Sequence, residues 1–130
     1  MDLAPLTQAS APIPLHAFGA MGAFVLGVAQ FVLAKGTLLH RAVGRLWVGL
    51  MVAVALSSFF IWELRMIGAF SPIHLLSLFT LFWLWRAVAA ARRGDIAAHR
   101  RLMKILFVCA LLGAGAFTFL PGRIMHDVLF

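Results

Sequence analysis

Four of the five histidines in this 130-residue chain fall into a repeated pattern: Pro14-x-His16 precedes His40-Arg41, and Pro72-x-His74 precedes His99-Arg100. A neutral imidazole binds iron, copper or zinc, and its proton exchanges near neutral pH. One imidazole on each side of an iron holds a flat macrocycle, and helical bundles build such sites from facing helices. The pattern predicts metal ligation by His16 with His74 and by His40 with His99, filled by one or two b-type haems. Gly19, with Ala20, Ala23 and Gly27, shares the face of His16, and Gly44 follows His40 by one turn; both predict room for a bulky ring, as well as close helix packing. Arg41, Arg45, Arg100 and Arg101 are placed to pair with haem propionates, or to mark topology and bind lipid phosphate. Interfacial histidines with a structural role are one alternative, and copper or zinc another, with Met21, Met51 or Met103 beside the histidines.

Composition dictates what positions these residues. The chain is 64% hydrophobic and 12% charged, with a mean hydropathy of +1.03. A domain this small cannot bury that much apolar side chain, so the excess faces lipid. Runs of bilayer thickness extend from Pro14 to Ala34, Leu46 to Trp62, Ile73 to Ala91 and Ile105 to Leu120. They predict an all-α integral membrane protein, a four-transmembrane-helix up-and-down bundle. Residues 1–13 form an irregular lead-in without the basic flank of a secretory signal, 14–120 the membrane domain, and 121–130 a short outer tail.

The formal net charge of +7 lies between the spans rather than along one face, which argues against a nucleic-acid partner. Lys35, Arg41 and Arg45 flank the first connection, and Arg86, Arg92, Arg93, Arg100, Arg101 and Lys104 the third; Arg65 and Arg123 lie at the opposite end. Short basic loops resist translocation, which predicts a bacterial inner membrane location with both termini outside. Lys35-Gly36-Thr37 and Arg93-Gly94-Asp95 each supply a basic last turn, a glycine stop and an N-cap oxygen, so each predicts a tight helical hairpin.

These features repeat. Residues of about 14–66 and 72–120 read as two parallel helical-hairpin repeats, with 24 residues from His16 to His40 and 25 from His74 to His99. The extra residue is expected to be absorbed locally; inside the last helix it would turn His99 by roughly 100° relative to His40. Rise per residue places His16 and His74 at an outer level and His40 and His99 at an inner one, roughly 24 Å apart.

The segments HAFGAMGAFVLG, KGTLLHRAVGRLWV, SPIHLLSLFTL, RRGDIAAHRRLM and GAFTFLPGR together resemble a family of small bacterial predicted membrane proteins of unknown function, over Leu15 to Arg123. The resemblance implies a four-helix membrane protein and carries no activity. In architecture alone the chain is similar to the di-haem transmembrane cytochromes b, of the ascorbate or quinone-linked type.

The function expected is that of a small membrane cytochrome b carrying electrons between two histidine levels, possible partners being quinone, a larger membrane complex, membrane lipid or a second copy in a homodimer. If it is an enzyme, it is a haem-dependent oxidoreductase, with catalytic residues unassigned; Glu63 is placed to move a proton outside. One rival is a non-enzymatic assembly or lipid-binding protein acting through the basic turns, another a metal permease. No Ser-His-carboxylate set or Gly-rich phosphate loop is present, the four acids are too few for a carboxylate-pair mechanism, and Cys109 has no disulfide partner. Gln30, Ser57, Ser58, Ser77 and Thr118 are expected to bond across helices or to their own backbone. Trp62 is expected in an outer aromatic belt, Trp47 and Trp85 in an inner one.

Overall fold

A computed structural model describes residues 2–8, 12–59, 72–119, 121 and 124–129. Its elements are α1 (Ala4–Thr7), α2 (Pro12–Val32), α3 (Leu38–Ser58), α4 (Pro72–Arg92), α5 (Ile96–Leu106), a π-helical stretch (Phe107–Gly113), α6 (Ala114–Thr118) and α7 (Ile124–Leu129). No strand occurs among the described residues. Pro12 and Pro14 open α2 where the first-turn N–H groups have no intrahelical acceptor to lose.

Both sequence-read turns form. Gly36 (φ +79°) and Gly94 (φ +78°) take the left-handed conformation that stops a helix and that side chains with a Cβ resist. The Thr37 hydroxyl accepts from His40 N–H at 3.2 Å, and the Asp95 carboxylate from Ala98 N–H at 3.2 Å, so each N-cap side chain occupies a donor the helix leaves unsatisfied. The Lys35 ammonium folds back onto the carbonyls of Gln30 and Leu33 at the end of α2.

Among the described residues, three helices, Ile13–Val32, Leu38–Ser58 and His74–Arg92, are long and apolar enough to cross a membrane. The fourth expected span coincides with α5, the π stretch and α6 in succession. α2 packs on α3, α3 on α4 and α4 on α5, and the π stretch returns to α2, so α2 and α4 stand on one diagonal. The core between them gathers Ala23, Trp47, Met51, Leu84, Ala87, Leu102, Leu106, Phe107 and Leu111. Outside it large apolar side chains stand open: Val25 is 65% exposed and Leu75 68%. Such an exterior suits hydrocarbon rather than water.

Three features differ from expectation. Trp47 is 5% exposed and belongs to the core, its indole N–H donating to the Ala23 carbonyl at 3.0 Å; Trp85 is 64% exposed. The lead-in is partly ordered: α1 packs on α7, Asp2 N–H donates to the Val128 carbonyl at 2.9 Å, and Leu6 and Val128 are buried between them. The extra residue of the second half is not absorbed in its turn. His40 is the third residue after its N-cap and His99 the fourth after its own, so the two meet their helices roughly 100° out of phase. The i→i+5 bonding of Phe107–Gly113 takes more residues per turn than an α-helix.

The expected end of the second span at Trp62, together with Glu63, Arg65 and Arg123, lies outside the described residues.

Candidate functional site

The two histidine levels are built differently. At the level of the tight turns, His40 comes from the first turn of α3 and His99 from the start of α5, on the other diagonal of the bundle. Each follows its tight turn within about one turn of helix. His99 Nδ1 lies 2.9 Å from the Ala87 carbonyl of α4. A carbonyl only accepts, so Nδ1 carries the proton and Nε2 keeps its lone pair. That is the tautomer a ligating histidine adopts when a backbone carbonyl holds its other nitrogen.

His40 Nδ1 is buried and has no hydrogen-bond partner. Beside it, Gln30 reaches across from α2 and donates from Nε2 to the His40 carbonyl at 3.0 Å, while its own Oε1 is buried and unpartnered. Gly44 makes this possible, since a Cβ there would lie 2.8 Å from Gln30 Nε2. Two orphaned polar atoms at one place are unusual, because each costs about 1–3 kcal/mol of uncompensated desolvation. Arg41, Arg45, Arg100 and Arg101 are all exposed around this level.

At the other level, His16 Nδ1 lies 2.9 Å from the Val54 carbonyl and 3.1 Å from Ser57 Oγ, both on α3. It too is therefore an Nδ1–H imidazole. Gly19 lets α2 approach, since a Cβ there would lie 2.9 Å from Val54 Cγ2. His74 is 2% exposed and stacks on Phe59, with ring centroids 5.6 Å apart and planes at 17°. Between these histidines the Ser58 and Ser77 hydroxyls bond α3 to α4, and Ser58 also donates to the Ala55 carbonyl at 2.6 Å. Both outer imidazoles are thus engaged by α3.

The small residues expected to leave room for a ring are filled by protein. Ala23 is fully buried against Trp47, and a Cβ on Gly27 would meet the Phe107 ring at 2.6 Å. A planar group along the His16 face would have to displace Val54, Trp47 and Phe107, whereas the His40–His99 level offers a lone pair and an orphaned nitrogen. The donor chemistry there fits a ligated group; the Gly19–Gly27 face is closed.

His40 and His99 thus share the level of the two tight turns, on different helices. Gln30 belongs with them, although the sequence suggested for it only a bond between helices. Its signal was depth: five residues before Lys35 put it within a turn of the level of His40. Met51 is in the core and Met21 is 41% exposed, while Met103 packs against the core. Among the described residues, no three His, Cys, Asp or Glu side chains are grouped to hold a metal ion.

No curated protein and no solved structure matches the chain. A family model does, over residues 13–126, and this places the histidines, both tight turns and all three long apolar helices inside the match. The chain belongs to the family described as "Predicted membrane protein (DUF2306)", whose function is unknown.

Proposed function

We propose that this membrane protein is a small cytochrome b, with His40 and His99 as the axial ligands of a b-type haem and His16 and His74 marking a second level toward the other face. The observation that carries the reading is the state of two imidazoles at the level of the tight turns, one held by the Ala87 carbonyl with Nε2 open and the other with a buried, unpartnered nitrogen. Haem bound there would supply reversible one-electron chemistry. The chain's own residues hold and tune it. Ala87 orients the His99 ring and raises the basicity of Nε2. Gln30 ties α2 to the first turn of α3, fixing the height of His40. The apolar core below keeps water from the level.

In this reading the α5–π–α6 stretch is the fourth span and the hairpins are paired repeats. Nine of the eleven Lys and Arg flank the two tight turns, three at one and six at the other, so these turns lie in the cytoplasm and both termini outside a bacterial inner membrane. A quinone is the natural exchange partner for an electron within the bilayer.

The test is a visible spectrum of detergent-purified protein from haem-replete cells, before and after dithionite. A reducible haem band in the parent protein, lost in both His40→Ala and His99→Ala, supports the reading. A colourless preparation that also takes up no haem in vitro rejects it. His16→Ala and His74→Ala then report whether a second haem contributes.

A second reading, a non-enzymatic partner-binding or assembly protein, draws on the exposure of Arg41, Arg45, Arg92, Arg93, Arg100 and Arg101 around the two turns. It expects the four histidine variants to be silent in the cell and neutralisation of Arg92, Arg93, Arg100 and Arg101 to abolish association.

A further inference from the structure

A crevice of about 230 Å³ lies between α4 and α5, lined by Phe79 and Trp83 from α4 and by Leu102, Ile105 and Arg101 from α5. Four of these five residues are apolar. From the Arg93–Asp95 turn, Arg101 lies roughly 9 Å down α5, and Phe79 roughly 20 Å down α4. The headgroup layer occupies roughly 5–8 Å on each side of the hydrocarbon. The Arg101 guanidinium is therefore at the boundary between headgroups and chains, and the rest of the crevice runs into the chain region. Neither α4 nor α5 contains a carboxylate, and the exposed Arg100 and Lys104 add positive charge beside Arg101.

We infer that this crevice holds one anionic phospholipid, an acyl chain lying along Phe79, Trp83, Leu102 and Ile105 and the phosphate pairing with Arg101. Clefts between membrane helices with a basic rim select anionic lipids in this way, because the chain gains contacts and the headgroup gains a charge-assisted hydrogen bond. Leu102 is buried and Ile105 half open, so the crevice has a floor and a mouth. Arg101 is shared with both readings above, but the crevice is not: anionic-lipid binding weakened by Ile105→Phe as well as by Arg101→Gln belongs to the groove rather than to the turn arginines or to haem.

Trp83 in the wall provides the readout. The protein is reconstituted in phosphatidylcholine vesicles containing the same small fraction of either brominated phosphatidylglycerol or brominated phosphatidylcholine, and fluorescence quenching is recorded. Subtraction of the Trp83→Phe variant isolates the Trp83 contribution. The expected result is a preference of about fivefold for the brominated anionic lipid, the effect of one basic side chain near the surface. Arg101→Gln should bring the two lipids level, and Ile105→Phe, which narrows the mouth, should weaken quenching by both. Glycerol phosphate, which carries the charge without a chain, should not compete. Equal quenching by the two lipids in the parent protein, a preference that survives Arg101→Gln, or displacement by glycerol phosphate would each overturn the assignment. Native mass spectrometry gives a second measure should Trp83→Phe fail to fold: the parent should retain an anionic lipid through detergent, and Arg101→Gln should lose it.

Discussion

Alanine at Gly27 provides the sharpest test of how α2 meets the π stretch. Its Cβ would lie 2.6 and 2.7 Å from two atoms of the Phe107 ring and 3.2 Å from the Trp47 indole nitrogen. The ring cannot easily retreat. Phe24 stacks on it at 5.7 Å, Phe31 meets it edge-on at 5.1 Å, and Phe107 itself is 8% exposed. Forcing a methyl group into such a contact costs about 2–3 kcal/mol, against which alanine's better helix propensity returns about 1 kcal/mol. Gly27→Ala should therefore lose about 1–2 kcal/mol, roughly a tenfold fall in the folded-to-unfolded ratio. Gly49, on α3, has nothing within 4 Å of the same built atom, so Gly49→Ala should instead gain up to about 1 kcal/mol. Identical chemistry on adjacent helices is thus expected to act with opposite signs. SDS titration of the micellar protein, followed by far-ultraviolet circular dichroism, measures both, and a Gly27→Ala, Phe107→Leu double-mutant cycle should recover a coupling of about 0.5–3 kcal/mol. If Gly27→Ala and Gly49→Ala stabilise equally, or if the cycle shows no coupling, the contact does not govern the packing.

Nitrogen-15 NMR of labelled histidine should report Nδ1–H tautomers for His16 and His99, because each Nδ1 faces a backbone carbonyl at 2.9 Å; Nε2–H resonances at both would refute the geometry from which the lone pairs are argued. Gly36→Ala and Gly94→Ala should each cost about 1–2 kcal/mol in the same SDS titration, since both glycines sit at positive φ with open space around the built Cβ and only the backbone conformation resists. Trp47→Phe should cost about 1 kcal/mol through the lost bond to the Ala23 carbonyl, measured likewise; a neutral result would mean that the indole N–H finds another acceptor.

What the sequence revealed follows the range of the interactions involved. The two turns were legible because three adjacent residues, a cation, a glycine and an oxygen-bearing side chain, determine them. The shared level of His40 and His99 was legible because each follows its own tight turn within about one turn of helix, which needs only a rise per residue. Ser57, Ser58, Ser77 and Gln30 did bond between helices or to their own backbone as polar groups in lipid must. Trp47 was misplaced because an indole reads as interfacial by type, and only the close approach at Ala23 and Gly27 reveals a carbonyl for its N–H inside the bundle. The room expected beside Gly19 and Gly27 was real as a notch, but a notch in one helix does not say whether a cofactor or a neighbour's Val54 and Phe107 will fill it. The phase of His99 was the open point of the repeat, because a helix can take in an additional residue far from where the sequence gains it.

The widened turn at Phe107–Gly113 gives that helix a reserve of length. Elsewhere in a bundle, removing one residue swings everything beyond it by more than a quarter of a circle and turns buried faces outward. Within the π stretch, the chain can shorten by one residue and tighten to ordinary α geometry, and the flanking segments keep their facing. Length variation among relatives, or tolerance of engineered deletions, would therefore concentrate there, opposite Gly27, while the histidine level stayed where it is.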